Sequence, residues 1–260
     1  MRNIRVVFAV LSLSVVLVAG VADELQAQEK RQGWTKRLRY RRELRRELQG
    51  EIQLSGAFAL YPMAVKWAEE FRKIHPKVRI DISAGGAGKG ITDALAKVVD
   101  LGMVSRDIYP QELEKGAFPI AVVKDAVVPT INSNNPLIDQ ILATGLKQQV
   151  AQDLWIHTTA RTWGDVLGTG STIPVHVYTR SDACGAAETF AAWLGAKQED
   201  LEGTAVFGDP GVTSVVQRDK VGIGFNNIAY AYDINSKKPY RHIAVIPLDL
   251  NGNGKIDPEE

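Results

Sequence analysis

Beyond its basic N-terminal part, the chain alternates short apolar runs with amphipathic stretches, and loops of small residues join them. Residues 52–54 and 78–82 are apolar runs, each followed by a glycine- and alanine-containing loop and then by helical spacing. The runs at 98–104 and 173–179 repeat the arrangement, and Gly195 ends the helix that follows the second of them. Strands that alternate with helices predict parallel β-α units. We therefore predict an α/β protein whose ligands meet the carboxyl ends of the strands.

The N-terminus has the pattern of a secretory signal. Two arginines precede an uncharged run from Val6 to Ala22, whose apolar core is shorter than a comfortable bilayer span. We predict that residues 1–22 are a signal peptide and that the protein is periplasmic or secreted. An uncleaved membrane anchor is the alternative, since a bilayer can thin around a short span.

Residues 23–49 are predicted to be a basic arm or linker. Nine of the 31 Lys and Arg residues and three acidic ones lie between Glu29 and Glu47, which gives this stretch a net charge of +6. The arm is either a solvated linker or a spacer that lies on anionic lipid. The remainder of the chain is net acidic, which argues against nucleic-acid binding.

Chain length and cysteine content narrow the class of protein further. A chain of 260 residues, 45% of them hydrophobic, can bury a core in one large domain or two lobes, which excludes wholesale disorder. Its one cysteine, Cys184, cannot form an internal disulfide.

The small-residue loops predict a site for an anion. A strand that enters a helix through Gly and Ala leaves the first helical N–H groups unpaired, and the helix dipole makes that end positive. Arg106 and Arg180 follow two of the strands and can add planar forks of donors for an oxyanion or carboxylate. The alternative is that each arginine pairs locally, with Asp107 and Asp182 respectively.

Five sequence blocks carry a family resemblance. In chain order they are LSGAFALYPMAVKWAEEFRKIHP, ISAGGAGKGI, VDLGMVSRD, YTRSDACGAAETFAAWLG and VGIGFNN. Together they resemble the landmarks of phosphate-type (PstS-like) substrate-binding proteins of ABC importers, across residues 50–247. The resemblance implies a two-lobed periplasmic-binding-protein fold of type II, a "Venus flytrap". It further implies an exported, monomeric, non-enzymatic protein that closes over an oxyanion and delivers it to a membrane permease.

The resemblance also implies how the lobes are divided along the chain. Lobe I is expected at residues 50–130 and lobe II at residues 131–224, with a return to lobe I at residues 225–260. The crossings are expected near 127–133 and 222–227. Family members continue beyond the equivalent of Glu260, so we expect the C-terminal part of lobe I to be incomplete.

Ligand contacts follow from the same resemblance, residue by residue. The implied ligand-binding positions are Ala57, Phe58, Ala59, Ala87, Gly88, Ser105, Arg106, Arg180, Asp182, Cys184, Gly185 and Ala186. Hydroxyl residues of the family are replaced here, by Ala57 or Phe58, Ala87, Cys184 and Ala186. A hydrogen bond to a charged group contributes about 1.5–3 kcal/mol, so the replacements leave open which anion is bound, phosphate or a related oxyanion.

The C-terminus matches an EF-hand calcium loop. Its expected ligands are Asp249, Asn251, Asn253, the Lys255 carbonyl, Asp257 and Glu260, at loop positions 1, 3, 5, 7, 9 and 12. Gly254 occupies the sixth position, where the loop turns sharply. We predict a structural Ca²⁺ with a dissociation constant of about 10⁻⁴ to 10⁻³ M, as in extracellular modules. An ion-free turn is the alternative.

Two other functions remain open from the residues. Cys184 precedes a helix and His176 lies on the strand before it, which would suit a Cys-dependent hydrolase. A secreted, calcium-stabilised interaction module with a vestigial cleft is the other. No organic cofactor and no zinc site are expected, because the histidine spacings match no zinc motif.

Overall fold

The computed structural model describes residues 48–257. The predicted signal peptide, nearly all of the basic arm, and Glu260 lie outside the described residues. Within residues 48–257, no helix combines the length and the apolar character that crossing a membrane requires.

The first lobe contains a three-stranded sheet in the order β2-β1-β3, with β1 and β3 parallel. Its elements are β1 (Gln49–Gly56), α1 (Tyr61–Ile74), β2 (Lys77–Ala84), α2 (Ala87–Leu95), β3 (Leu101–Met103) and α3 (Pro110–Glu114). Helix α1 packs Ala68 against Val78 and Ile80 of β2. The predicted β-α alternation is confirmed here, although the third strand is shorter than the run at 98–104.

The second lobe contains a five-stranded sheet in the order β7-β6-β8-β4-β9. Its elements are β4 (Val127–Asn132), α4 (Ile138–Thr144), β5 (Leu146–Lys147), α5 (Gln148–Trp155), α6 (Trp163–Leu167), β6 (His176–Arg180), α7 (Gly185–Trp193), β7 (Thr204–Val206), α8 (Gly208–Arg218), β8 (Gly222–Asn227), β9 (Ile243–Val245) and β10 (Leu248–Asp249). Strand β6 runs parallel to β7 and β8, whereas β4 runs antiparallel to β8 and β9. Strand β10 pairs with β5 in a separate two-stranded sheet.

Aromatic side chains build the core of the second lobe. The rings of Phe190 and Phe225 stack with centroids 4.4 Å apart, and Trp155 and Trp163 are fully buried beside the same sheet. Each indole N–H donates to a backbone carbonyl at 3.1 Å, so neither polar atom is buried without a partner. Strand β6, which ends at Arg180, is bonded to this core through the Tyr178 carbonyl.

The strand pairing bears on the expected lobe boundaries, which stay a prediction. Strand β8, where a return to the first lobe was expected, is buried along its whole length and pairs with β4 and β6 of the second lobe. Strands β9 and β10 also pair within the second lobe, so the described residues after 225 stay there. The second lobe begins earlier than residue 131, because β4 joins its sheet from Val127.

Candidate ligand cleft

The predicted loops of both lobes meet at the carboxyl ends of the strands. The Gly88 N–H donates to the Ala183 carbonyl at 3.2 Å. Gly185 packs directly on the Ser105 carbonyl, since a Cβ at position 185 would lie 1.9 Å from that oxygen. These contacts join the loops after β2 and β3 to the loop after β6.

Arg180 lies at the centre of this region with no exposed side-chain surface. Its Nε and Nη2 donate to the two oxygens of Asp182 at 2.9 and 2.7 Å, and its Nη1 donates to Asp209 at 2.7 Å. Burial by itself would lower the pKa of Arg180. The hydrogen bond to Asp182 and the charge of Asp209 outweigh that effect and raise the pKa, so the guanidinium stays charged.

The two carboxylates also accept hydrogen bonds from other groups of the second lobe. Asp182 accepts the Gly208 N–H at 3.0 Å. Asp209 accepts the backbone and side-chain N–H groups of Asn227 at 2.8 and 2.9 Å. One guanidinium and two carboxylates give this buried cluster a formal charge of −1. The local pairing of Arg180 with Asp182 is thus confirmed, while Asp209 is a partner that sequence reasoning missed.

Arg180 keeps donor capacity in spite of these bonds. A guanidinium has five N–H groups, two on each Nη nitrogen, and three of them make the bonds described above. The Phe58 ring of the first lobe lies 5.8 Å from the guanidinium carbon, which places Arg180 at the boundary between the lobes. The other two N–H groups make no hydrogen bond within the described residues, although the side chain has no exposed surface.

Arg106 does not offer the free fork that the sequence predicted. Its Nη1 and Nη2 donate to the Glu112 carboxylate at 2.9 and 2.7 Å, and its Nε lies 3.4 Å from a Glu188 oxygen. Its guanidinium also stacks 4.0 Å above the Tyr109 ring, and Asp107 supplies only its carbonyl oxygen. The expectation that Arg106 and Arg180 present paired free forks to one anion is wrong, because Glu112 and Glu188 occupy the fork of Arg106.

Arg106, Tyr109 and Glu188 together form what we call the latch. Arg106 and Tyr109 follow β3 of the first lobe, whereas Glu188 lies on α7 of the second lobe. The Tyr109 hydroxyl donates to Glu188 at 2.5 Å, and this hydrogen bond raises the pKa of Tyr109. The latch therefore fastens one lobe to the other beside the cleft.

The backbone donors divide into two groups. The N–H groups of Ala57, Gly88 and Cys184 already donate, to the Met103 carbonyl, the Ala183 carbonyl and the Gln198 side chain respectively. The predicted residues Ala87, Gly185 and Ala186 open helices α2 and α7, where N–H groups have no acceptor within the helix. Two helix N-termini, one from each lobe, thus contribute first-turn amides to the cleft region.

Gln198 is a further residue that sequence reasoning missed. Its side-chain oxygen accepts the Cys184 N–H at 3.0 Å and its amide donates to the Asp182 carbonyl at 2.7 Å. These bonds fix the backbone of the loop between β6 and α7. No sequence motif marks Gln198, because it acts through the tertiary contact alone.

Cys184 has the wrong environment for a nucleophile. Burial raises the pKa of its thiol to about 12 despite the nearby Arg180 charge. His176 begins β6, about 13 Å of strand away from Arg180, and its Nδ1 lies 2.6 Å from Asp219. The proposed Cys-His pair does not form, and the hydrolase alternative loses its geometric basis.

An apolar groove opens beside Phe58 at the boundary between the lobes. The Tyr230 hydroxyl of the second lobe donates to the Phe58 carbonyl at 3.0 Å, and Pro210 completes the second-lobe side. Ala59 lies in the turn that leads from Phe58 into α1, and its side chain is half-buried. The groove therefore gives the cleft an apolar mouth next to the buried Arg180.

Comparison with known proteins identifies the family. Residues 42–252 match the model of the PBP superfamily domain. The chain belongs to the PBP superfamily. This finding, together with the two sheets, confirms the two-lobed α/β fold that the resemblance implied.

Relatives of this PBP-superfamily chain include proteins named for phosphate. SphX of Synechococcus elongatus is 28% identical over 211 residues, which are 78% of this chain and 60% of SphX. The phosphate-binding protein PstS of Xylella fastidiosa is 28% identical over 205 residues, which are 69% of this chain and 54% of that protein. The chain thus spans between one half and two thirds of the length of these relatives.

Solved structures agree with this placement. A Clostridium perfringens structure, assigned to phosphate ABC transport and solved with bound phosphate, has a TM-score of 0.67 and 25% identity. The match covers 78% of this chain and 76% of that one. A phosphate transport receptor from Vibrio cholerae shares the fold, with a TM-score of 0.55 and 19% identity. That match covers 80% of this chain and 78% of the receptor.

Proposed function

We propose that this protein is the exported solute-binding component of an ABC importer and that it holds phosphate or a related oxyanion between its lobes. The observation that carries the proposal is the convergence of loops from both lobes on the buried, charged Arg180. The name of the PstS relative and the phosphate-bound Clostridium perfringens structure support phosphate as the first ligand to test. The protein would bind its ligand without chemical change and deliver it to a membrane permease.

The charges of the cleft favour an oxyanion that carries a proton. Arg180, Asp182 and Asp209 sum to −1, so a fully ionised guest meets two buried carboxylates as well as one guanidinium. A guest hydroxyl can donate to a carboxylate, which turns that repulsion into a hydrogen bond. Hydrogen phosphate has such a hydroxyl at neutral pH and sulfate does not, so we expect phosphate to bind more tightly than sulfate.

Titration calorimetry of the purified protein with phosphate, sulfate and acetate tests the proposal. We expect phosphate to bind and Arg180→Met to abolish the binding, with the exposed Arg218→Met as the control for a lost arginine charge. Because Arg180→Met leaves two buried carboxylates without their partner, Arg180→Lys keeps the charge and serves as the second variant. Absence of any heat with the wild-type protein across the three anions would contradict the proposal.

One observation favours a second candidate, the secreted interaction module with a vestigial cleft. Alanine or cysteine stands at Ala57, Ala87, Cys184 and Ala186, where the phosphate-type family has hydroxyl donors, and the fork of Arg106 is bonded within the protein. A protein that binds none of the three anions yet folds cooperatively would favour this candidate.

A further inference from the structure

The loop from Asp249 to Asp257 has a conformation built by its own oxygen-bearing side chains. Asp249, whose side chain is fully buried, accepts the N–H groups of Asn253 at 3.1 Å and Gly254 at 2.7 Å. Asp257 accepts the side-chain amides of Asn251 at 2.7 Å and Asn253 at 3.0 Å. The side chains of Asp249, Asn251, Asn253 and Asp257 are therefore hydrogen-bonded within one turn, where the two asparagine oxygens accept backbone N–H groups of the loop.

Two contacts fix this loop to the second lobe. Strand β10 pairs with β5 so that Asp249 stands opposite Lys147. At the other end of the loop, Ile256 packs on Gly145 so closely that a Cβ at 145 would lie 2.3 Å from its Cδ1. The oxygens are thus held against a folded lobe, which reduces the ordering that a bound ion would have to impose.

A cationic group of the chain already lies among these oxygens. The Lys147 ammonium donates to the Gly252 carbonyl at 2.9 Å and lies 3.7 Å from Asp249 Oδ2. Lys147 comes from a different element, so its position is independent of the loop's own sequence. Its side chain is 37% exposed, so the ammonium can rotate into water when another cation displaces it.

We propose that residues 249–257 form a cation site in which Ca²⁺ competes with the Lys147 ammonium. Carboxylate, amide and carbonyl oxygens are the ligands that Ca²⁺ prefers, and the spacing is that of an EF-hand loop. In the part of the chain that the structure describes, no three His, Cys, Asp or Glu side chains gather to hold a metal. Among the described residues the site has two carboxylates, Asp249 and Asp257, with neutral oxygens, so we expect weak binding while the lysine is present.

The competition predicts an unusual response to lysine replacement. A unit charge within a few ångströms of a divalent ion near a protein surface weakens binding by roughly tenfold or more. Lys147→Met should therefore bind Ca²⁺ about tenfold more tightly than the wild-type protein, whereas Lys147→Arg should not. Lys255→Met removes the same charge from an exposed side chain of the same loop and should change the affinity much less.

Calorimetric titration of the metal-free full chain with CaCl₂ tests this site. We expect a dissociation constant of about 10⁻³ M or weaker for the wild type and about tenfold tighter binding for Lys147→Met. Asn253→Ala in the Lys147→Met background removes one exposed oxygen donor and should weaken the binding again. Thermal melts should show Ca²⁺ stabilising Lys147→Met more than the wild type.

Two results would overturn the inference. If Lys147→Met takes up no Ca²⁺ at about 10 mM, the loop is a turn without a cation site. If Lys147→Met and Lys255→Met bind Ca²⁺ equally, the ammonium does not compete for the site. Neither result depends on whether the cleft binds an anion, so the Ca²⁺ site is tested independently of the proposed function.

Discussion

The contact between Gly185 and Ser105 gives the most direct control over closure of the lobes. Gly185 is the first residue of α7, and its Cα lies against the backbone of Ser105 in the first lobe. A Cβ added there would lie 1.9 Å from the Ser105 carbonyl oxygen and 2.4 Å from its Oγ, about 1.5 Å short of ordinary van der Waals contact. Gly185→Ala therefore prevents this approach, because backbone atoms cannot rotate aside as a side chain does.

Gly185→Ala should lower the affinity for the ligand more than it lowers the free energy of unfolding. Alanine is a better helix residue than glycine by about 1 kcal/mol, so the second lobe alone should tolerate the change. The first lobe, kept at a distance, cannot contribute its donors to a guest beside Arg180. Loss of even two hydrogen bonds to an anion, each about 1.5–3 kcal/mol, amounts to about 3 kcal/mol, or roughly a hundredfold in affinity.

Phosphate calorimetry and small-angle X-ray scattering on Gly185→Ala test this reasoning together. We expect roughly hundredfold weaker phosphate binding and a larger radius of gyration than in the wild-type protein. Gly170→Ala is the matched control, because nothing lies within 4 Å of a Cβ at that position and its backbone is not left-handed. Wild-type affinity and compactness in Gly185→Ala would refute the claim that the lobes close through this contact.

Three further predictions follow from buried charges. Asp209→Asn should lower the free energy of unfolding by about 3 kcal/mol, because it breaks a buried ion pair. It should also tighten sulfate binding about tenfold, because the cluster charge rises from −1 to zero. Calorimetry should show no tightening for Asp219→Asn, and weaker sulfate binding by Asp209→Asn would contradict the electrostatic reasoning. Cys184 should react with iodoacetamide at about pH 8 roughly a thousandfold more slowly than in unfolded protein, because its pKa is raised to about 12, and rapid labelling of the native thiol would contradict this. The hydrogen bond from Arg106 holds the pKa of Glu112 below its usual value, so the stability that this pair contributes is present above the unfolded pKa of about 4.5 and is lost as pH falls through the folded value. Between about pH 6 and pH 3, the melting temperature of Glu112→Gln should therefore fall less than that of the wild type. Equal falls would show that the pair contributes nothing to stability.

The first lobe was predictable because its pattern is local. Each strand, loop and helix from Gln49 to Leu95 lies within a short stretch whose hydrophobic period changes at glycines and alanines. The loops after β1 and β3 share one region because the carboxyl ends of parallel strands lie at one edge of a sheet, whereas their neighbourhood to the loop after β6 joins two different sheets.

The pairing of distant strands was not predictable in this way. Strands β4 and β8 pair across nearly a hundred residues, and no local period states which lobe such a strand joins. The family resemblance placed the second crossing at 222–227, where the structure has a central strand. Register between distant strands depends on tertiary packing that the pattern alone does not contain.

The contrast between local and long-range contacts also explains which partners of the two arginines could be predicted. Asp182 is two residues from Arg180, so a local pair could be foreseen, whereas Asp209 lies 29 residues further on and Glu188 joins Arg106 from the other lobe. Charged residues at strand ends suggested free donors, but burial requires a charge to have partners. The structure therefore corrected what the arginines bind within the protein while keeping the place where the loops converge.

The central claim is that one oxyanion binds between the two lobes beside Arg180. Native mass spectrometry of the full chain, recorded as purified and again after addition of phosphate, tests it most directly. We expect a single phosphate adduct per chain that is absent from Arg180→Met. A wild-type chain that carries no adduct even with phosphate in large excess would contradict it.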